Sequence, residues 1–141
     1  LRTAEFVTPL HPDKICDRIA DTILISAKTD PDTRAAIEVM GGHGIITVTG
    51  ELTTEAYVDI PSVVRSVDPF EKMGVQVNLV KQHIIARGVD AGGAGDQGIM
   101  VGYACNENEE FVPQEYYLAR HLCKYLFERH NYDGKTQITI N

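Results

Sequence analysis

The sequence predicts a mixed fold in which strands and helices alternate, and three observations carry that expectation. Apolar residues recur every four positions at Ile15, Ile19, Ile23 and Ala27, the spacing that lays one stripe along an α-helix. Two β-rich runs, residues 35–40 and 44–50, flank Gly41-Gly42-His43-Gly44, which reads as a hairpin with a glycine-bearing loop. An apolar content of 43% against 23% charged residues over 141 positions is enough for a folded core in one or two small domains.

The first helix is expected from His11 to about Ala27, with Pro12 suited to its first turn. Its other flank carries Asp13, Asp17 and Asp21, which on pattern alone is a solvated acidic face. Beyond the hairpin, a second helix is expected within residues 54–67 with Pro61 at its start or at a kink, followed by a strand over residues 75–80. Glycines cluster from Gly88 to Gly98, and that stretch is the expected domain boundary. Residues 99–104 then read as a strand, Pro113 to about Arg129 as a long amphipathic helix, and residues 136–140 as a closing strand. Leu1 stands where a start methionine would be and Asn141 follows directly on a strand-like run, so the chain reads as a fragment.

Composition excludes several classes of function. A net charge of −7 argues against a nucleic-acid partner, whose phosphates select basic surfaces. The longest apolar runs are too short to span a bilayer. Three cysteines, Cys16, Cys105 and Cys123, without CxxC or His/Cys metal spacing, fit reduced thiols in a cytoplasmic protein.

Four features place polar groups where a simple fold does not need them. His11-Pro12-Asp13-Lys14 gathers a donor, a hard oxygen ligand and a cation at a helix start, where the helix dipole also favours anions; the same string serves equally as a capped helix start. Glu38 and Glu51 lie in apolar β runs, where a carboxylate turns outward to solvent or needs a cation or donors. Gly92-Gly93-Ala94-Gly95-Asp96-Gln97-Gly98 brings backbone amides and one acid together, yet it lacks the endings of the common phosphate-binding loops and also reads as a connector. Asp133-Gly134-Lys135 sets an acid and a lysine at a strand entrance, as an ordinary turn also does. Residue chemistry alone stops at a phosphate and metal site.

The order of these motifs resembles the S-adenosylmethionine synthase family: His11-Pro12-Asp13-Lys14-Ile15-Cys16-Asp17, then Gly50-Glu51, then the 93–98 glycine-rich string, then Lys135-Thr136-Gln137-Ile138-Thr139. The resemblance covers nearly the whole chain. It implies an α+β fold of layered domains, each a sheet covered by helices on one face, with a first domain at 1–90 and the opening of a central domain at 91–141. It implies a methionine adenosyltransferase, in which the methionine sulfur attacks the ribose C5′ of ATP and the departing triphosphate is hydrolysed to phosphate and pyrophosphate.

For individual residues the resemblance implies that His11 donates to the leaving oxygen and that Lys135 contacts the phosphates, with Glu5 and Asp133 also on ATP. Asp13 is the implied magnesium ligand and Glu38 the implied potassium ligand. Glu51, Gln82 and Asp96 are implied to receive methionine. It further implies a cytoplasmic homodimer or homotetramer with active sites between subunits. The sequence departs from the family pattern at Pro9-Leu10, around Gln82-His83-Ile84-Ile85, and in a shortened loop over residues 87–91. The family continues well beyond the position of Asn141, and a non-catalytic nucleotide-binding relative or regulatory subunit is the alternative reading of a chain limited to these motifs.

Overall fold

A computed structural model describes residues 1–67, 73–81, 92–93 and 97–141. Its elements run β1 (Arg2–Val7), α1 (Pro12–Ala27), β2 (Arg34–Gly42), β3 (Ile45–Thr53), α2 (Ile60–Val67), β4 (Gly74–Val80), α3 (Gln114–His130) and β5 (Lys135–Ile140). This is the α+β fold that the resemblance implies. The chain divides into two compact units, residues 1–14 with 99–141, and residues 15–98. Among the described residues no helix is long and apolar enough to cross a membrane.

In the second unit, β2 and β3 form an antiparallel hairpin and β4 lies parallel to β3, with α2 in the crossover between the parallel strands. The hairpin closes through His43 and Gly44, both at positive φ (50° and 83°), because Gly42 and Ile45 still pair; a two-residue loop of that hand follows the right-handed twist of the strands. Strand alternation turns Ile46 and Val48 to one face of the sheet. There they meet the predicted stripe Ile15, Ile19 and Ile23 of α1 and the α2 residues Ile60 and Val64. Ile19, Ile23, Val48 and Val64 are fully buried, and each such side chain contributes on the order of 1.5–3 kcal/mol of burial. Asp30 fixes the loop beyond α1 by accepting the Glu55 and Asp32 amides (2.7 and 3.0 Å).

Gly50 is a backbone requirement of this hairpin. Its φ is 118°, and a Cβ there would sit 2.1 Å from the Ala36 carbonyl oxygen. Only glycine adopts that conformation without strain.

In the first unit, β1 and β5 pair antiparallel with Glu5 opposite Gln137 and Val7 opposite Lys135. The α3 helix packs on one face, where Phe6 meets Tyr116 edge to face at 5.8 Å and Thr136 donates to the Ala119 carbonyl at 2.7 Å. Asn131 ends α3 in the left-handed conformation and its amide bonds Phe127 O, which turns the chain into β5. Arg2 grips Glu107 through two parallel hydrogen bonds (2.7 and 2.8 Å), and Glu107 also accepts the Gln114 amide at the start of α3 (2.9 Å).

One expected strand is absent. Residues 99–104 form no ladder, and Ile99, Met100 and Val101 are 93%, 93% and 88% exposed. The residues have strand propensity, but no strand of the first unit pairs with them, and an extended run without a partner gains neither ladder bonds nor a buried face. Gln82, Asp96 and the shortened 87–91 loop lie outside the described residues.

Two predictions follow from this packing. Gly50→Ala should lower stability by about 2–5 kcal/mol, read from the midpoint of urea unfolding; a loss below about 1 kcal/mol would mean the hairpin relaxes around the added methyl. The second concerns pH. The Arg2 hydrogen bonds, then the Gln114 amide, hold the Glu107 carboxyl at about 2, below its ordinary 4.5. A depressed acid stabilises the fold above its unfolded value and loses that contribution as pH falls through its folded value. Glu107→Gln should therefore lower the thermal midpoint at pH 7, and the gap from the parent chain should close between pH 4.5 and 2.

Candidate functional site

The first unit brings the His11 motif and the Asp133-Gly134-Lys135 turn together through one residue. Thr8, 4% exposed, donates its amide to the Gly134 carbonyl (2.9 Å) and accepts the Gly134 amide on its hydroxyl (3.0 Å). These bonds extend the β1–β5 ladder past Val7 and Lys135. The Thr8 carbonyl then accepts the His11 amide (3.0 Å), so the strand pair sets the start of α1.

His11 occupies the position before the first helical residue, Pro12. Its Nδ1 accepts the Asp13 amide at 3.2 Å, which satisfies one of the free donors at the helix N-terminus. The Asp13 carboxylate is 3.8 Å from the same nitrogen, beyond hydrogen-bond reach. The amide contact therefore assigns the tautomer: Nδ1 is the acceptor, Nε2 carries the proton, and Nε2–H is the donor His11 presents.

Lys135 reaches Glu5 across the strand pair, Nζ to Oε2, at 2.5 Å, with both side chains about half exposed. Strand alternation puts these two on the face opposite α3, as Val7 and Lys135 are paired and Glu5 is two residues before Val7. Glu5, His11, Asp13, Lys14, Tyr116 and Lys135 line one cavity of about 510 Å³. Its formal charges balance, two lysines against two carboxylates. Asp13 is largely exposed at 88%. Asp133 is exposed and lines a neighbouring cavity of about 260 Å³ that shares Lys135.

Glu38 and Glu51 belong to the second unit. Glu38 pairs with Thr49, and Glu51 with Ala36 and Val80, so both carboxylates project from the face opposite the α1 stripe. Glu38 is exposed and Glu51 half-buried. The outward alternative read from the alternation is the one found for Glu38, and no cation is needed to account for its tolerance in the sheet. Gln82 and Asp96 lie outside the described residues.

Among the described residues no group of three or more His, Cys, Asp or Glu side chains is placed to hold a metal by itself. Glu5 and Asp13 nevertheless offer hard oxygen donors in one cavity, and magnesium is commonly held by one or two carboxylates with the remaining positions filled by water and substrate phosphates. The donor set fits such an ion. Sequence reasoning missed Thr8 and Tyr116, whereas Lys14 was already named as the cation of the His11 motif. Thr8 carries no motif signal, and Tyr116 was legible only as part of an amphipathic helix.

Comparison with known proteins shows the family. Residues 1–84 match the N-terminal domain of S-adenosylmethionine synthetase, and residues 91–141 match its central domain. The chain is 40% identical to the S-adenosylmethionine synthase of Corynebacterium glutamicum, with 99% of the chain and 44% of that protein aligned. It is 38% identical to the synthase of Clostridium tetani over 99% of the chain and 45% of that protein. A solved structure described as an unusual S-adenosylmethionine synthetase from Campylobacter jejuni superposes with a TM-score of 0.81 at 32% identity, over 99% of this chain and 42% of that one. The chain thus spans less than half the length of these relatives.

Proposed function

The chain belongs to the S-adenosylmethionine synthetase family, and from that premise we propose that it supplies part of a methionine adenosyltransferase, which forms S-adenosylmethionine from ATP and L-methionine and releases phosphate and pyrophosphate. The observation that carries the reading is the Thr8 clamp, which sets the His11 motif and the Lys135 turn around one cavity. In the proposed arrangement the domains are 1–90 and the opening of a central domain at 91–141. The protein works in the cytoplasm as a homodimer or homotetramer, with sites shared between subunits.

The chemistry asked of the site is electrostatic. A polyanionic triphosphate must leave C5′ while the methionine sulfur approaches in line. His11 is proposed to donate its Nε2–H to the oxygen that departs, the role its tautomer supports. Lys135 is a point charge for the phosphates, and Glu5 must release it or share it through a cation, given their 2.5 Å contact. Asp13, with Glu5 in the same cavity, would hold Mg²⁺, which when bound neutralises phosphate charge. Asp133 is assigned to the nucleoside side. Glu51, Gln82 and Asp96 are assigned to the methionine, whose ammonium suits carboxylates, and Glu38 to K⁺.

The test uses the longer protein that carries this chain, assayed for methionine-dependent release of phosphate and pyrophosphate from ATP. His11→Asn is the informative variant because asparagine keeps an acceptor for the Asp13 amide at the helix start but does not reproduce the imidazole Nε2–H. Transfer should fall roughly 10²- to 10³-fold with an unchanged thermal midpoint. An unchanged transfer rate would remove His11 from this role. A longer protein that binds ATP without making S-adenosylmethionine would establish the non-catalytic alternative instead.

A further inference from the structure

The cavity that joins the His11 and Lys135 motifs has one wall that neither motif supplies. Tyr116, in the first turn of α3, lines it alongside Glu5, His11, Asp13 and Lys135. Its ring is held from two directions: it meets the Phe6 ring at 5.8 Å and 77°, and the Arg120 guanidinium stands 5.9 Å from its centroid. These ring contacts are all the interactions Tyr116's side chain makes among the described residues, and its hydroxyl has no partner there. At 36% exposed, the residue is anchored in the protein and open on one side.

Resting on the polyphosphate reading of this cavity, we propose that Tyr116 is a further binding residue of the site, its hydroxyl donating a hydrogen bond to a phosphate oxygen. Charge balance explains why such a donor matters. Lys135 is already engaged by Glu5, and the carboxylates of Glu5 and Asp13 oppose an incoming anion until a divalent cation screens them. A phenol donates without adding charge or needing to be released from a carboxylate. The two ring contacts fix its position beforehand, so little rotamer freedom is lost when a phosphate arrives. They also commit the ring surface, which favours contact at the hydroxyl over stacking on a base.

The experiment compares the longer protein that carries this chain with its Tyr116→Phe variant by titration calorimetry, using sodium tripolyphosphate in magnesium chloride and, separately, adenosine. Phenylalanine retains the ring contacts with Phe6 and Arg120, so the thermal midpoint should not move. Tripolyphosphate should bind roughly three- to tenfold more weakly to the variant, while any adenosine affinity stays the same. Equal tripolyphosphate affinity overturns the role of Tyr116 and leaves the polyphosphate reading standing. Loss confined to adenosine also overturns it, because the ring would then be reading the base. Failure of the parent protein to bind tripolyphosphate overturns the cavity reading and this inference together.

Discussion

Everything at the candidate site of the first unit depends on how Thr8 spends its three polar groups. Its amide and hydroxyl close a ring of two hydrogen bonds on Gly134, and its carbonyl takes the amide of His11. A threonine with only 4% exposure cannot leave those groups unpaired without a penalty of about 1–3 kcal/mol each. That penalty makes the placement specific. Sliding β1 against β5 by one residue would break both bonds to Gly134 and turn Glu5 to the α3 face. The register of two short strands thereby determines where a helix start and a turn, more than a hundred residues apart in sequence, present their side chains.

The electrostatics of the cavity follow from the same register. The strand face away from α3 carries Glu5 and Lys135, and the helix start adds Asp13 and Lys14. An anion site built for tight binding in the absence of metal would carry an excess of free cations, as interactions with phosphate are dominated by charge. Here the charges cancel instead. A balanced cavity holds a polyanion firmly only when a divalent ion joins it, since the carboxylates then become ligands. On the proposed reading, binding of anion and metal is coupled at this cavity.

The sequence made the helices and the hairpin legible because their signals are local. The α1 stripe at Ile15, Ile19 and Ile23 is the buried face found in the structure, and the helix over residues 113–129 agrees with α3 to within a residue at each end. The 99–104 run failed because strand propensity says only that residues suit a ladder, while forming one requires an available edge. The family motifs supplied His11, Asp13 and Lys135. Thr8 and Tyr116 stayed hidden, since their contacts join segments of the chain far apart in sequence that no spacing rule connects. The outward turn of Glu38 was one of two readings that alternation allowed, and the register decided between them.

Gly50 shows fold and chemistry meeting in a single backbone conformation. Its φ of 118° and the 2.1 Å that would separate a Cβ from Ala36 O forbid any other residue without local rearrangement. Yet its neighbour Glu51 is the side chain the family resemblance assigns to methionine. The hairpin must pass very close to itself at Ala36 in order to keep the ladder continuous through Glu51, which pairs with Ala36 on one side and Val80 on the other. Both neighbours are apolar, so neither compensates the half-buried carboxylate. The close approach at Gly50 is therefore what holds Glu51 in its register between β2 and β4.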